Sequence, residues 1–386
     1  MPSTDTNKNV IGLTNDIEYQ FRVAAKTDAV GEWSNVASAK PFAPRLMAMI
    51  FDQYYGGHSP VVFEQSGNTF TQVPDATAFP GGTINIGYAD AQEFYGAKPL
   101  TISSQGDYLI TGLGGLPVYS RSGSSFTQLS SLPSLPTATI NGVDMQGDYL
   151  VAGVADSAAP LAIYSRSGST FTRLADPAVL PSAPVRCVSL SADAGYLAVL
   201  SNEINNARAI SVYARAGSVF SQLTNTTLPA PFAEYVTVRF SPDGNYLVIS
   251  GQGGVKVYSR TGGTFTDISP QDQPQHLGGG YYGRIAFNPS STMFAVDQQS
   301  YYSPGAAVYS ISNGAVTRIF QGFPNHPCRG IAFNLDGTLL AAGFDNTIRF
   351  YAVSGTTVTP LAASTVTLIS PYYVATDLEF SWPAVS

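Results

Sequence analysis

Charge is scarce in this chain: Asp, Glu, Lys and Arg make up 12% of its 386 residues, about half the usual share. The five lysines, Lys8, Lys26, Lys40, Lys98 and Lys256, nowhere cluster, and the net charge of −7 is spread along the sequence. That pattern gives no electrostatic footprint for nucleic acid or an anionic membrane surface, and both are excluded as expected partners. Cysteine is nearly absent. Cys187 and Cys328 stand far apart, which makes no disulfide framework, and two buried free thiols are expected. No apolar run reaches 18 residues, so no membrane insertion is expected. The opening, Met1 to Asn9, lacks the basic start and apolar stretch of a secretory signal, so the expectation is a soluble protein not exported by that route. Histidine is limited to His58, His276 and His326, scattered without ligand spacing, so neither a metal site nor a cofactor is expected.

What is present is a core-forming, β-rich composition, 44% hydrophobic and 12% aromatic. One phrase returns along it: "VFEQSGNTFTQV" from Val62, "VYSRSGSSFTQL" from Val118, "IYSRSGSTFTRL" from Ile163, "VYARAGSVFSQL" from Val212, "VYSRTGGTFTDI" from Val257, "VYSISNGAVTRI" from Val308 and "FYAVSGTTVTPL" from Phe350. Successive starts are 56, 45, 49, 45, 51 and 42 residues apart, a period that with strand-like repeats selects a propeller. Each phrase reads as a hairpin, with Gly67, Gly123, Gly168, Gly217, Gly262, Asn313 or Gly355 at its sixth position, where a left-handed turn residue is expected. Upstream of six phrases lies a second hairpin, clearest in "VRFSPDGNYLVIS" from Val238 and "IAFNLDGTLLAAG" from Ile331, whose second strand is apolar enough for burial on both faces. Four antiparallel strands, a to d, make one blade. The first unit lacks strand a, and the last segment, "VATDLEFSWPAVS", has the strand-a pattern without a strand b, so Leu378 to Ser381 is expected to close the ring and protect its edge.

The pattern "FSPDGxYLxxG" followed by an apolar strand resembles the WD40-type blade, although the Trp-Asp and Gly-His signatures are absent. Combined with "VYSRSGxxFTxL", it is similar to the tandem propeller repeats of bacteriophage tail and virion structural proteins. Val10 to Pro44, "GLTNDIEYQFRVAAKTDAVGEWSNVASAKPFAP" from Gly12 onward, resembles the second half of a fibronectin type III domain, with Leu13 and Tyr19 matching its tyrosine corner. The expected fold is therefore all-β: a seven-bladed, WD40-like propeller over 45–386, closed by the C-terminal strand, after a partial fibronectin-like arm over 1–44.

Alternation places the short a–b and c–d turns on one face of the disc and the variable b–c and d–a loops on the other, where function is expected. Four tyrosine pairs fall on that variable face and within one arc of blades six, seven and one: Tyr54-Tyr55, Tyr281-Tyr282, Tyr301-Tyr302 and Tyr372-Tyr373. Tyrosine joins a flat apolar ring to a polar tip, so the pairs are the candidate ligand- or partner-binding residues, with gap-filling between blades as the competing role. Arg186, Arg239, Arg284 and Arg329 lie near strand a of four consecutive units, and hydrogen bonding to neighbouring loops is their expected use. No nucleophile with a base, phosphate loop or paired-carboxylate spacing stands out, so no catalytic residue and no enzyme are expected. The phage resemblance implies a virion structural protein, in the tail or exposed on the surface, that attaches to a host receptor or glycan. It would be oligomeric in the particle and held to other virion proteins by its N-terminal arm. A capsid decoration protein is the first alternative, and a glycan-processing propeller enzyme the second.

Overall fold

The computed structural model describes residues 19–21, 24–26, 30–33 and 36–39 and most of 45–381. The segments 53–57, 75–99, 203–207, 225–227, 229–234, 273–280, 300–304, 324–327, 362–364, 369–372 and 382–386, with a few shorter stretches, lie outside the described residues. Regular structure among the described residues is entirely β. Four short strands come first: β1 (Tyr19–Phe21), β2 (Ala24–Lys26), β3 (Val30–Trp33) and β4 (Ala37–Ala39). They pair β1 with β4 and β2 with β3. Most of the expected partial fibronectin-like arm, Leu13 included, lies outside the described residues.

The rest forms radial sheets. β5 (Arg45–Asp52), β6 (His58–Ser66) and β7 (Thr69–Gln72) begin the first. β8 (Leu100–Ile102), β9 (Tyr108–Thr111), β10 (Val118–Ser122) and β11 (Ser125–Gln128) form the next. Then come β12 (Ile140–Gln146), β13 (Tyr149–Val154), β14 (Leu161–Ser167) and β15 (Thr170–Arg173), followed by β16 (Val185–Leu190), β17 (Tyr196–Asn202), β18 (Arg208–Ala216) and β19 (Val219–Gln222). β20 (Tyr235–Phe240), β21 (Tyr246–Gly251), β22 (Gly254–Thr261) and β23 (Thr264–Asp267) precede β24 (Tyr281–Phe287), β25 (Met293–Gln299), β26 (Ala306–Ser312) and β27 (Ala315–Phe320). The last are β28 (Cys328–Phe333), β29 (Leu339–Phe344), β30 (Thr347–Ser354), β31 (Thr357–Pro360) and β32 (Val366–Thr367), and finally β33 (Tyr373–Ser381).

The expected set of seven like blades is corrected by the pairing. Six sheets are four-stranded, whereas the β28–β31 sheet takes β32 as a fifth strand against β30, Ile348 opposite Val366. The closing strand forms: β33 lies against β5 with Leu378 opposite Ala48 and Phe380 opposite Leu46, completing the order β33-β5-β6-β7. The innermost strands touch in cyclic order, β33 to β8, β12, β16, β20, β24, β28 and back to β33.

The apolar second strands are buried throughout because each is sandwiched between neighbouring sheets. β13, β17, β21 and β29 have at most their end residues partly exposed. One of the resulting cores joins Ala198 and Leu200 of one sheet to Val238, Phe240 and Leu247 of the next. Each such Leu, Ile or Val contributes about 1.5–3 kcal/mol. The outermost strands bury at most one residue, such as Phe171, Phe220 or Phe265. The described c–d turns carry the expected left-handed residue at Gly168, Gly217, Gly262, Asn313 and Gly355, with φ of 57° at Gly262 and 53° at Asn313, while Gly67 and Gly123 lie outside the described residues. The a–b turns are pinned by side chains: Ser241 Oγ accepts from Tyr246 N at 2.9 Å, and Asn334 Oδ1 accepts from Leu339 N at 2.8 Å.

Candidate axial site

The inner strands share an irregularity near their first residues. Register shifts fall between Ile140 and Gly142, Val185 and Cys187, Tyr235 and Thr237, Tyr282 and Ile285, Cys328 and Gly330, and Ala375 and Asp377. A bulge leaves a residue out of the ladder and re-aims its side chain. Arg186, Arg284 and Arg329 occupy three of these bulges, Arg239 does not, and Asn141 stands in another. The bulge side chains tie consecutive sheets together: Asn141 Nδ2 donates to Val185 O at 2.8 Å, and Arg284 Nη1 donates to Arg329 O. The expected use of these arginines as bridges to neighbours therefore holds for Arg284.

Beyond the bulges, the strands surround an axial cavity of about 270 Å³. Arg239 of β20, Arg284 of β24 and Glu379 of β33 line it together with Gln146, and Arg186 and Arg329 do not. Arg239 lies between two carboxylates, 3.7 Å from Glu379 Oε1 and 4.0 Å from Asp144 Oδ1. Asp144 is 1% exposed and held in place, with Oδ2 accepting from Leu190 N at 2.8 Å and Oδ1 near Thr101 Oγ1. Behind Arg284, the buried Asp297 accepts from its backbone N at 2.7 Å. Cys187 and Cys328 are buried free thiols, as expected. Burial, with the Asp297 charge added, pushes the Cys328 thiol well above its ordinary range, so it is no nucleophile at neutral pH. No cluster of metal ligands occurs among the described residues.

Apolar walls complete the cavity: Phe287, Phe333, Leu378 and Phe380 alternate with the polar lining. It reaches the a–b turns through Ser103, Pro242, Pro289 and Asn334. This is the opposite end of the strands from the loops where function was expected. Of the tyrosine pairs, Tyr54, Tyr55, Tyr301, Tyr302 and Tyr372 lie outside the described residues, as do His276 and His326. Tyr281 and Tyr282 are ladder residues of β24, opposite Gln299 and Gln298, and Tyr373 opens β33 opposite Asp52. Those three belong to inner strands, not to the loops before them.

Residues 315–351, from the outer strand β27 into β30, match the WD40 family, "WD domain, G-beta repeat". The chain is built of WD40-like propeller repeats. No curated protein matches it. Solved structures do. A Bacteroides fragilis protein to which 6-phosphogluconolactonase activity is ascribed is 13% identical, with a TM-score of 0.61 over 88% of this chain and 98% of its own. A periplasmic gluconolactonase of Pseudomonas aeruginosa is 14% identical, TM-score 0.61, over 88% and 99%. A Lactobacillus plantarum protein is 16% identical, TM-score 0.60, over 88% and 99%. At this identity the likeness shows the fold. It also corrects the expectation of a non-enzymatic virion attachment protein: propellers sharing this fold across nearly their whole length include lactonases, and neither a phage origin nor a fibronectin type III domain is shown.

Proposed function

We propose that the propeller is a hydrolase that opens a small sugar lactone in the axial cavity. The observation that carries this reading is the convergence of Arg239, Arg284 and Glu379, from three different sheets, on one cavity of about 270 Å³. That volume lies just below the range of drug-sized pockets, about 300–1,000 Å³, and suits a single sugar ring. Polar groups among apolar walls fit a ring whose edge is hydroxylated and whose face is not. The gluconolactonase with the same fold supports the choice of substrate class.

In the reaction, Glu379 accepts a proton from a water as its oxygen bonds to the lactone carbonyl carbon. The negative charge that develops on the carbonyl oxygen is met by the Arg239 and Arg284 guanidinium groups, fixed beforehand by Asp144 and the Arg329 carbonyl. Collapse of the tetrahedral intermediate breaks the bond between carbonyl carbon and ring oxygen, and the proton held by Glu379 passes to that oxygen, leaving an open hydroxy acid. The test is the rate of glucono-δ-lactone opening, followed by proton release, against the spontaneous rate in buffer. Acceleration by the native protein and a loss of roughly 10²–10⁴-fold in Glu379→Gln are expected for a general base. A folded protein that leaves the spontaneous rate unchanged overturns the reading.

A further inference from the structure

The balance of charge around the cavity separates two lactone classes that a sugar-lactone hydrolase would otherwise take alike. Arg239 is shared by Asp144 and Glu379 at 4.0 and 3.7 Å. Arg284 donates to the Arg329 carbonyl and has the buried Asp297 hydrogen-bonded to its backbone. Two guanidinium groups thus line the cavity with one carboxylate, Glu379, while Asp144 pairs Arg239 from behind and Asp297 stands against the Arg284 backbone. Arg186 and Arg329, the other cations of the inner strands, do not line it. The remaining lining is apolar at Phe287, Phe333, Leu378 and Phe380 and neutral at Ser103, Gln146, Thr237 and Asn334, so it adds no further positive charge to meet a dianion.

From this we infer that the cavity takes a neutral, unphosphorylated lactone and rejects one bearing a phosphate dianion, with Glu379 as the residue that sets the limit. The inference rests on the proposed lactone hydrolysis. A phosphate dianion needs cations in excess, whereas here it would meet carboxylates that have already claimed Arg239, and like charges brought together out of water repel strongly. The same balance aids turnover. A neutral lactone enters without penalty, and the carboxylate that hydrolysis creates is pressed out by Glu379 and Asp144.

The experiment compares kcat/KM for glucono-δ-lactone and its 6-phosphate with the native protein, and measures binding of 6-phosphogluconate to native protein and to Glu379→Gln by calorimetry. A preference of at least about tenfold for the unphosphorylated lactone is expected, with 6-phosphogluconate binding at least about tenfold tighter to Glu379→Gln, each equivalent to about 1.4 kcal/mol. Equal or faster turnover of the phosphorylated lactone overturns the charge limit while leaving lactone hydrolysis intact. Unchanged 6-phosphogluconate affinity in Glu379→Gln removes Glu379 as its cause. If neither lactone opens faster than in buffer, hydrolysis and the charge limit fall together.

Discussion

Two arcs of the ring hold their blades together by different chemistry. Between β8 and β23, an arginine of one sheet lies on a tyrosine of the preceding sheet: Arg166 on Tyr108 at 4.9 Å, Arg215 on Tyr149 at 4.2 Å and Arg260 on Tyr196 at 4.3 Å. The same groups share a turn carbonyl. Tyr149 Oη and Arg215 Nη1 both donate to Gly217 O, at 3.2 and 2.8 Å, and Tyr108 and Arg166 use Gly168 O likewise. From β24 to the closure the arginine position is taken by Ile311 and Val353 and the tyrosine position by Met293 and Leu339. Aromatic rings take over there. Phe323 packs on Tyr351 at 4.8 Å, and at the seam Phe70 stacks on Phe350 at 3.9 Å with Phe380 beside it. One strand geometry therefore accepts either a polar latch at the rim or a dry stack in the core. The dry stack sits where the two ends of the chain must be held shut, the place with most to lose from water.

The contrast predicts unequal costs. Deleting residues after Thr376 removes Leu378 and Phe380, 2% and 6% exposed, and leaves β5 without its inner partner. The expected loss exceeds about 5 kcal/mol, since a buried Phe alone is worth about 3–5, and a thermal melt should show no cooperative transition. Phe350→Ala should cost about 3–5 kcal/mol on the same ground. Arg215→Ala, which breaks a half-exposed latch, should cost about 1–2 kcal/mol. Denaturant midpoints of the two single variants measure the difference. Equal losses would show that the two arcs differ in composition but not in strength.

The division between arcs could be read in the repeats, because the arginine of "VYSRSG" and the tyrosine before "L" disappear from the phrases together. The repeated pair of hairpins, the described left-handed turn residues and the closing strand were legible for the same reason: each rests on a pattern within a few residues or on a repeat. β32 was not. Two residues, Val366 and Thr367, carry no period, and their pairing to β30 depends on where the chain must travel to reach β33. The axial site was half legible. An arginine inside four successive apolar strands is the signal, yet Arg239, Arg284 and Glu379 come from separate repeats, and only the ring brings them together. Arg239 stands two residues before Ser241 of its turn and Arg186 five before Ser191, but only the ring shows which offset lines the cavity. The tyrosine pairs drew attention because adjacent aromatics are uncommon. Tyr281, Tyr282 and Tyr373 prove to be strand residues because the inner strands run further toward the loops than their apolar cores indicate.

The smallest expected difference is in acid, and it separates single turns rather than whole arcs, since Asp336 in the β28 sheet is held below its ordinary value as well. The a–b turns of the β16 and β20 sheets contain Asp193 and Asp243. Burial pushes these carboxyls up, but the hydroxyls of Ser191 and Ser241 and the backbone N–H groups of Gly195 and Asn245 outweigh it and hold both below the ordinary value of 3.8. A carboxyl lowered in the folded state contributes stability that is present above its unfolded value and is lost as pH falls through the folded one. At the corresponding turn of the β24 sheet, Asn288, Ser290 and Thr292 bond to one another without an ionisable group. Asp243→Asn should therefore lower the denaturant midpoint slightly at pH 7 and shrink the fall between pH 7 and pH 3, whereas Ser290→Ala should leave that fall unchanged. If both variants keep the full pH dependence of the native protein, the turns are not where acid acts.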